Sequence, residues 1–172
     1  MIGKGKSISH GVAALEYDLA KEINGQAVAT EIARHELYGC TGAEMVQEMK
    51  PYHIDFPNVK NNCLRFEVSP SIEESATFTD ADWAELGNDF MQRMGLANHQ
   101  YIIIRHSGTE SKKEQAHLHI LANRVSLSGE LYRDNWIGKK ATEAANAIAK
   151  ERNFVQSQDI GKVNKAEIKE AI

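Results

Sequence analysis

Three histidines near the middle of the chain have the residue type and spacing of metal ligands. His117 and His119 lie in an apolar run typical of a β-strand, where side chains alternate between two faces, so both project from the same face. His106 ends an upstream apolar run, and pairing of the two strands would bring it alongside. Three imidazoles with an open coordination position suit catalysis. The alternative is that they are hydrogen-bonded structural residues, since one His-x-His pair is unsurprising among seven histidines.

The ligand type does not identify the metal. Neutral imidazole binds zinc, iron, copper, nickel and manganese, whereas a site that handles phosphate oxygens favours magnesium or manganese. We therefore expect a divalent metal cofactor, with Mg²⁺ or Mn²⁺ preferred and Zn²⁺ or Ni²⁺ as alternatives.

Composition predicts one soluble domain. The 172 residues, 42% of them apolar, suffice for one core, and no apolar run is long enough to span a membrane. The N-terminus lacks the apolar centre of a signal peptide, and Cys40 and Cys63 are isolated, so we expect a cytoplasmic protein that does not contact membrane. The net charge of −4 disfavours nucleic-acid binding unless a local basic patch exists.

Hydrophobic spacing predicts the elements that position these side chains. Helical periodicity predicts helices over 10–23, 27–38, 41–50, 80–94 and 139–152. Alternation predicts strands over 62–68, 101–105 and 117–125, and a turn at Ser128-Gly129 predicts a hairpin partner at 130–133. This mixture favours an α+β fold with a central, mainly antiparallel sheet flanked by helices.

Three of these elements have assignable faces. The helix over 10–23 has an apolar stripe of Val12, Leu15, Leu19 and Ile23. The helix over 80–94 has Thr79 as its cap, and its stripe ends at Gly95. The strand over 62–68 has an apolar face and a second face with Cys63, Arg65 and Glu67.

The N-terminal Gly3-Lys4-Gly5-Lys6-Ser7 is not a phosphate-binding P-loop. It contains Gly-Lys-Ser, but the first glycine of that motif would precede the printed sequence. Lys4 and Lys6 are better interpreted as a flexible basic arm, with a solvated tail as the alternative.

The order of these motifs resembles that of mobilisation-type relaxases, which are nucleases of the HUH superfamily. The resemblance covers roughly residues 1–135, and its most specific part is the block from His106 through His117-Leu118-His119 to Asn123-Arg124-Val125. It implies a central antiparallel sheet that carries a three-histidine metal site. The loop between the histidines departs from the family pattern, because Glu110 and Glu114 stand where an Asp and another His are often found.

The resemblance also implies a tyrosine nucleophile in the N-terminal segment, which corresponds to Tyr17. Attack on a scissile phosphate would form a 5′-phosphotyrosyl bond, and because a free phenol has a pKa of about 10, a cation or base must assist it. Glu67 could orient a metal-binding histidine or accept the proton. The rival nucleophiles are Tyr38, Tyr52, Tyr101, Tyr132 and His10.

We expect site- and strand-specific nicking of single-stranded origin-of-transfer DNA, with accessory mobilisation or coupling proteins as further partners. Candidate DNA contacts are Lys4, Lys6, Arg65, Asn123 and Arg124. Asn123 could instead hold the end of its strand through backbone hydrogen bonds, and Trp136 could stack a base or cap the core.

Two other functions stay open, a three-histidine hydrolase that activates water and a non-catalytic DNA-binding module. We expect the nuclease domain to span 1–155, with 156–172 as a polar tail or the start of a further region.

Overall fold

A five-stranded sheet forms the centre of the computed structural model, which describes residues 1–109, 111, 115–160 and 162. The strands are β1 (Ile2–Ile8), β2 (Glu22–Ile23), β3 (Gln26–Ala27), β4 (Ala29–His35), β5 (Cys63–Ser69), β6 (Tyr101–His106) and β7 (His117–Asn123). The helices are α1 (Gly11–Leu19), α2 (Gly42–Met49), α3 (Ile72–Ser75), α4 (Asp80–Arg93) and α5 (Ile137–Glu151), with a 3-10 turn over Lys50–His53.

The sheet has the strand order β1-β5-β7-β6-β4, and each neighbouring pair is antiparallel. This arrangement confirms the α+β fold with a central antiparallel sheet and flanking helices. β2 and β3 form a separate two-stranded hairpin.

Each face of the sheet has its own core. The larger cluster packs α4 and α5 on the face that carries Leu64, Phe66 and Val68 of β5 and Leu118, Ile120 and Ala122 of β7. The smaller cluster packs α1 and α2 against Cys63, Ile102, Ile104 and Leu121 on the opposite face. The predicted alternation of β5 and β7 is therefore confirmed, and the histidines of β7 lie on the face of the smaller cluster.

The predicted basic arm is wrong, because residues 2–8 form the edge strand β1. The strand pairs with β5 from Ile2 opposite Ser69 to Ile8 opposite Cys63. A Cβ at Gly3 would lie 2.4 Å from the backbone oxygen of Ala141. Glycine is needed there because α5 packs directly against the strand, yet glycine weakens the sequence signal for a strand.

The predicted helix over 27–38 is also wrong, because this segment contains the end of β3 and all of β4. Asn24 and Gly25 have φ values of 52° and 76°, which suit the two-residue turn of a hairpin. β4 then gains its backbone partners from β6, a contact distant in sequence that overrides local helix propensity.

Other boundaries differ less. The first helix ends at Leu19, and it buries Ala14, Leu15 and Asp18 while Val12 is exposed. The predicted strand at 130–133 is absent from the described elements, and a single bridge pairs Val125 with Leu131.

The helices predicted over 41–50, 80–94 and 139–152 are confirmed as α2, α4 and α5, with bounds shifted by one or two residues at several ends. Thr79 caps α4, its hydroxyl accepting the Asp82 backbone N–H. None of the described helices is long and apolar enough to cross a membrane.

Two expectations concern residues that the structure does not describe. Glu110 and Glu114 lie outside the described residues, as do 161 and 163–172 of the predicted polar tail. The limits 1–155 and 156–172 therefore stay predictions.

Candidate metal centre and active site

Strand pairing brings His106, His117 and His119 together on one face of the sheet. His106 lies directly opposite His117 in the antiparallel pair of β6 and β7, and His119 follows two residues along. One potential ligand atom from each residue lies within 4.8 Å of the other two. His106 and His117 are buried and His119 is nearly so, so their geometry is set by packing. The predicted juxtaposition of three imidazoles is present.

The hydrogen bonds of these rings fit a cation site. His106 Nε2–H donates to the Asp18 carbonyl oxygen at 2.7 Å, and His117 Nδ1–H donates to the Gln115 carbonyl oxygen at 3.0 Å. Each neutral ring therefore keeps one nitrogen lone pair, because the carbonyl partner fixes which nitrogen holds the proton.

The spacing of two of these nitrogens also suits a metal. The Nε2 atoms of His117 and His119 are 3.1 Å apart. Two nitrogens on one ion at about 2.1 Å lie roughly 3.0 to 3.4 Å apart. The donor set therefore fits a divalent metal without rearrangement of β7.

Burial favours the neutral form of His106 and His119. Burial, reinforced by the neighbouring His106 and His117, lowers the pKa of His119 to about 2. Burial also lowers the pKa of His106, against the opposing effect of its hydrogen bond to Asp18. A ligand nitrogen must be unprotonated to bind a cation, so a lowered pKa keeps these rings competent at neutral pH and below.

A buried carboxylate, absent from the sequence-based candidates, lies beside this cluster. The Asp18 side chain is 1% exposed and receives two hydrogen bonds from Arg65, at 3.1 and 2.5 Å. Its Oδ1 is also 4.0 Å from Nδ1 of His119. Asp18 thus places a buried carboxylate beside the metal-binding face. The sequence contains one indication that Asp18 is buried. It lies three residues after Leu15 and therefore on the same buried face of α1.

Tyr17 precedes Asp18 and projects from α1 towards solvent, 55% exposed. The Lys21 ammonium donates a hydrogen bond to the phenol oxygen at 2.6 Å and lies 4.8 Å from the ring centroid. Tyr17 and Lys21 line a cavity of about 430 Å³ together with all three histidines. The structure therefore brings the predicted nucleophile and the predicted metal ligands to one open cavity.

Three of the four rival phenols are placed less favourably. Tyr101 donates to Asn88 and Tyr132 to the Met94 carbonyl oxygen, and burial raises the pKa of both phenols. Tyr38 is exposed, but its hydrogen bond to Glu36 raises its pKa. A raised pKa disfavours the phenolate that attack requires.

A second cavity of about 210 Å³ opens on the other side of His119. It is lined by Lys4, Lys6, Arg65 and Glu67 together with Gly5, Phe66 and His119. Glu67 lies opposite His119 in the strand register and forms an ion pair with Lys4 at 3.8 Å. The expected basic residues and Glu67 thus adjoin the histidine cluster.

Asn123 and Arg124 are engaged within the protein. The Asn123 side chain is buried, donates to Gln100 Oε1 and the Met49 carbonyl oxygen, and accepts the Val125 backbone N–H. Arg124 donates to the Tyr132 and Asn61 carbonyl oxygens and forms an ion pair with Asp134 at 3.1 Å. These contacts favour the structural alternative for Asn123 over a contact with DNA.

Comparison with known families identifies the family of the chain. Residues 17–154 match the relaxase family described as MobA/VirD2-like, nuclease domain. The match spans most of the chain and includes Tyr17 and all three histidines, so the chain belongs to the relaxase family, whose members nick DNA. No curated protein and no solved structure matches the chain significantly.

Proposed function

We propose that this relaxase is a metal-dependent, site- and strand-specific DNA strand transferase. It nicks single-stranded DNA at an origin of transfer for conjugative mobilisation, through a covalent tyrosyl-DNA bond. The observation that carries the proposal is the single cavity lined by Tyr17, Lys21 and the three histidines. A solvent-facing phenol beside a cluster of imidazole metal ligands is an arrangement that suits phosphodiester transesterification.

In the proposed reaction, the Tyr17 oxygen attacks the scissile phosphorus and the bond to the 3′ oxygen breaks. The products are a 5′-phosphotyrosyl bond and a 3′ oxygen, which takes up a proton as the phenol loses one. Lys21 already donates a hydrogen bond to the attacking oxygen, so its positive charge stabilises the negative charge that develops there. Because no water is consumed, the same step in reverse rejoins the strands.

His106, His117 and His119 would hold the divalent ion, with Mg²⁺ or Mn²⁺ preferred. When bound, the ion would neutralise charge on the non-bridging oxygens of the scissile phosphate. Asp18 supports this set in two ways, because its carbonyl oxygen holds His106 and its carboxylate faces His119. We therefore assign the orientation of His119 to Asp18, and keep Glu67 as a candidate proton acceptor.

Lys4, Lys6 and Arg65 are the proposed phosphate contacts, since they line the cavity next to His119. Lys4 and Lys6 extend from the edge strand, which keeps their ammonium groups accessible to a DNA backbone. We leave Asn123 and Arg124 out of the contact set because internal partners occupy their side chains. We also propose that the reaction occurs in the cytoplasm, where accessory mobilisation proteins would deliver the DNA.

Covalent capture tests this proposal and both alternatives. The protein is incubated with a randomised pool of single-stranded oligonucleotides and Mn²⁺, and the products are separated on a denaturing gel. A strand transferase forms a protein-DNA adduct, whereas a water-activating hydrolase releases free fragments and a binding module leaves the DNA intact. Sequencing of the captured strands would identify the nick site.

Tyr17→Phe is the decisive variant, because it removes one oxygen from an exposed ring. We expect loss of the adduct with metal and DNA binding retained. Mass spectrometry of the trapped peptide checks the residue. An adduct on Tyr38, Tyr52 or His10 would keep the reaction and overturn Tyr17, whereas cleavage by Tyr17→Phe at the parental rate would favour the hydrolase.

A further inference from the structure

Trp136 is a large aromatic side chain that the protein holds in solvent. It is 76% exposed, whereas the other tryptophan, Trp83, is 2% exposed within the larger core. The Trp136 backbone has φ of 61°, in the left-handed region that bulky residues adopt only at a cost. Such a conformation persists where the surrounding structure imposes it, and strained residues of this kind cluster at functional sites.

Two contacts with the edge strand β1 bracket Trp136. Ser7 donates to Asp134 at 2.6 Å, two residues before the tryptophan, and Asp134 is also ion-paired with Arg124. Two residues after it, a Cβ built on Gly138 would lie 3.7 Å from the Gly5 carbonyl oxygen. Trp136 is therefore held beside residues 5–7 of β1, at the end of the strand that carries Lys6.

The position is close to the candidate active site. His119, Glu67 and Lys4 are neighbours across three strands, which places Lys4 about 10 Å from His119. Ser7 lies three residues beyond Lys4 along β1, which is again a distance of about 10 Å. Trp136 immediately precedes α5, which packs on the sheet face opposite the histidines. DNA that reaches both sites would therefore pass over the edge strand β1, a path of a few nucleotides.

The charges around Trp136 suit a polyanion. Arg133 and Lys139 are exposed on either side of it, and Lys140 follows one residue later. These cations remain in excess although Glu143 pairs with Lys139 and Asp134 with Arg124. Tyr38, which is 75% exposed, has the opposite surroundings, because Glu36 binds its hydroxyl and Glu48 binds its backbone N–H. Among the described residues, Trp136 and Tyr38 are therefore the two most exposed aromatic side chains, the first beside an excess of cations and the second among carboxylates.

We propose that Trp136 is a stacking platform for a base of the single-stranded DNA substrate. The inference rests on the proposed function, and it assigns a base-binding subsite outside the metal centre. An exposed indole stacks on any base, and neighbouring cations neutralise the flanking phosphates.

Intrinsic fluorescence tests the contact directly, because only one of the two tryptophans is accessible. The probe is a 30-nucleotide oligothymidylate without added metal, so that no chemistry is required. We expect the DNA to quench the emission of Trp136 and to leave that of Trp83 unchanged. In Trp136→Phe the quenching should disappear, while DNA binding, measured by anisotropy of a labelled oligonucleotide, should be largely retained.

Affinity measurements separate stacking from charge. At fixed salt, Trp136→Ala should weaken oligothymidylate binding roughly 5- to 150-fold, the range expected for loss of one stacked base. The slope of affinity against salt should not change, because no charge is removed. With an abasic oligonucleotide of equal length, parent and Trp136→Ala should bind alike, since both retain the phosphate contacts.

Two controls address folding and location. Trp136→Gly suits the left-handed backbone, so its unfolding midpoint should be no lower than that of the parent while its DNA affinity falls. Tyr38→Ala should bind DNA like the parent. Equal oligothymidylate affinity of parent and Trp136→Ala, or equal weakening on the abasic strand, would overturn the stacking platform.

The proposed relaxase reaction is judged separately by adduct formation on Tyr17. If DNA did not quench the emission of the parent protein but the adduct on Tyr17 formed normally, only the role of Trp136 would be rejected. Normal quenching without an adduct would reject the nicking reaction and keep the base-binding subsite.

Discussion

The two faces of the central sheet use alternate residues of the same strand for different purposes. On β7, Leu118, Ile120 and Ala122 are fully buried in the larger apolar cluster beneath α4 and α5. On the other face, His117 and His119 meet His106 and Asp18, and apolar packing resumes only at Leu121. One face is therefore stabilised mainly by apolar burial, and the other by burial together with a cluster of buried hydrogen bonds and an ion pair.

This difference indicates which substitutions each face tolerates. Apolar packing is nondirectional, so the larger cluster needs volume and shape. A buried polar group needs a partner, and within the described residues no buried side-chain nitrogen or oxygen lacks one. Substitutions on the apolar face should change stability without changing metal binding, whereas those on the histidine face should change both.

The largest effect on stability should come from Phe90→Ala on the apolar face. Phe90 is fully buried and packs edge-on against Phe66 with ring centroids 5.5 Å apart. The cavity should cost about 3 to 5 kcal/mol of unfolding free energy, measured by urea denaturation. Phe90→Leu should lose less because it restores part of the volume. Weaker metal binding by the folded Phe90→Ala protein would show that the faces are not independent.

Asp18→Asn on the histidine face should affect both properties. It keeps the carbonyl oxygen that holds His106 but removes the charge that pairs with Arg65. We expect the free energy of unfolding to fall by roughly 2 to 3 kcal/mol. This is less than the loss for a fully buried ion pair, because Arg65 is partly exposed. Metal affinity, measured by calorimetry, should fall about 10- to 100-fold, since His119 loses its orienting carboxylate.

The double variant Asp18→Asn with Arg65→Met separates these two effects. Removing the orphaned guanidinium should recover part of the stability and none of the metal affinity. Recovery of both would assign Asp18 a purely structural role.

The metal-free protein should lose stability as the pH falls below about 6.5. His119 stays neutral when folded because its pKa is lowered to about 2, whereas in the unfolded chain it protonates near the ordinary value of about 6.5. The unfolded state therefore binds more protons in this range, and unfolding free energy decreases with falling pH. Between pH 7.5 and 5.5, His119 alone should lower the free energy of unfolding by about 1.4 kcal/mol.

His119→Gln should remove that part of the pH dependence, measured by urea denaturation in the presence of a chelator. Part of the slope should remain, because burial also lowers the pKa of His99 and His106. A slope identical to that of the parent would contradict a neutral, buried His119.

The smallest effect should come from the exposed cations of the edge strand. Lys4→Gln and Lys6→Gln should each reduce the salt slope of single-stranded DNA binding by about 0.7, the value for one lost phosphate contact. Their effect on stability should be slight, because the Lys4–Glu67 pair is solvent-exposed. Lys162→Gln, far along the chain and exposed, provides a matched loss of charge that should leave the slope unchanged.

Periodic patterns made much of the fold predictable. The alternation of β5 and β7 assigned their faces, and the stripe and cap of α4 assigned its limits to within one residue. Both signals are local, because the side-chain period follows directly from backbone geometry. The strands β1 and β4 were missed because their stability comes from partners far along the chain, and their own residues, glycine and alanine included, carry weak strand signals.

The sequence by itself determined that His117 and His119 share one face of a strand, because side chains alternate along it. The antiparallel pairing of β6 and β7 in the structure then places His106 opposite His117. Only the tertiary structure decided which phenol and which carboxylate join them. Tyr17 and Asp18 are neighbours on α1, yet one lines the open cavity and the other lies buried against Arg65. The different surroundings of these two neighbours depend on how α1 packs across the sheet. That packing is set by contacts between segments distant in sequence, which a local sequence pattern does not predict.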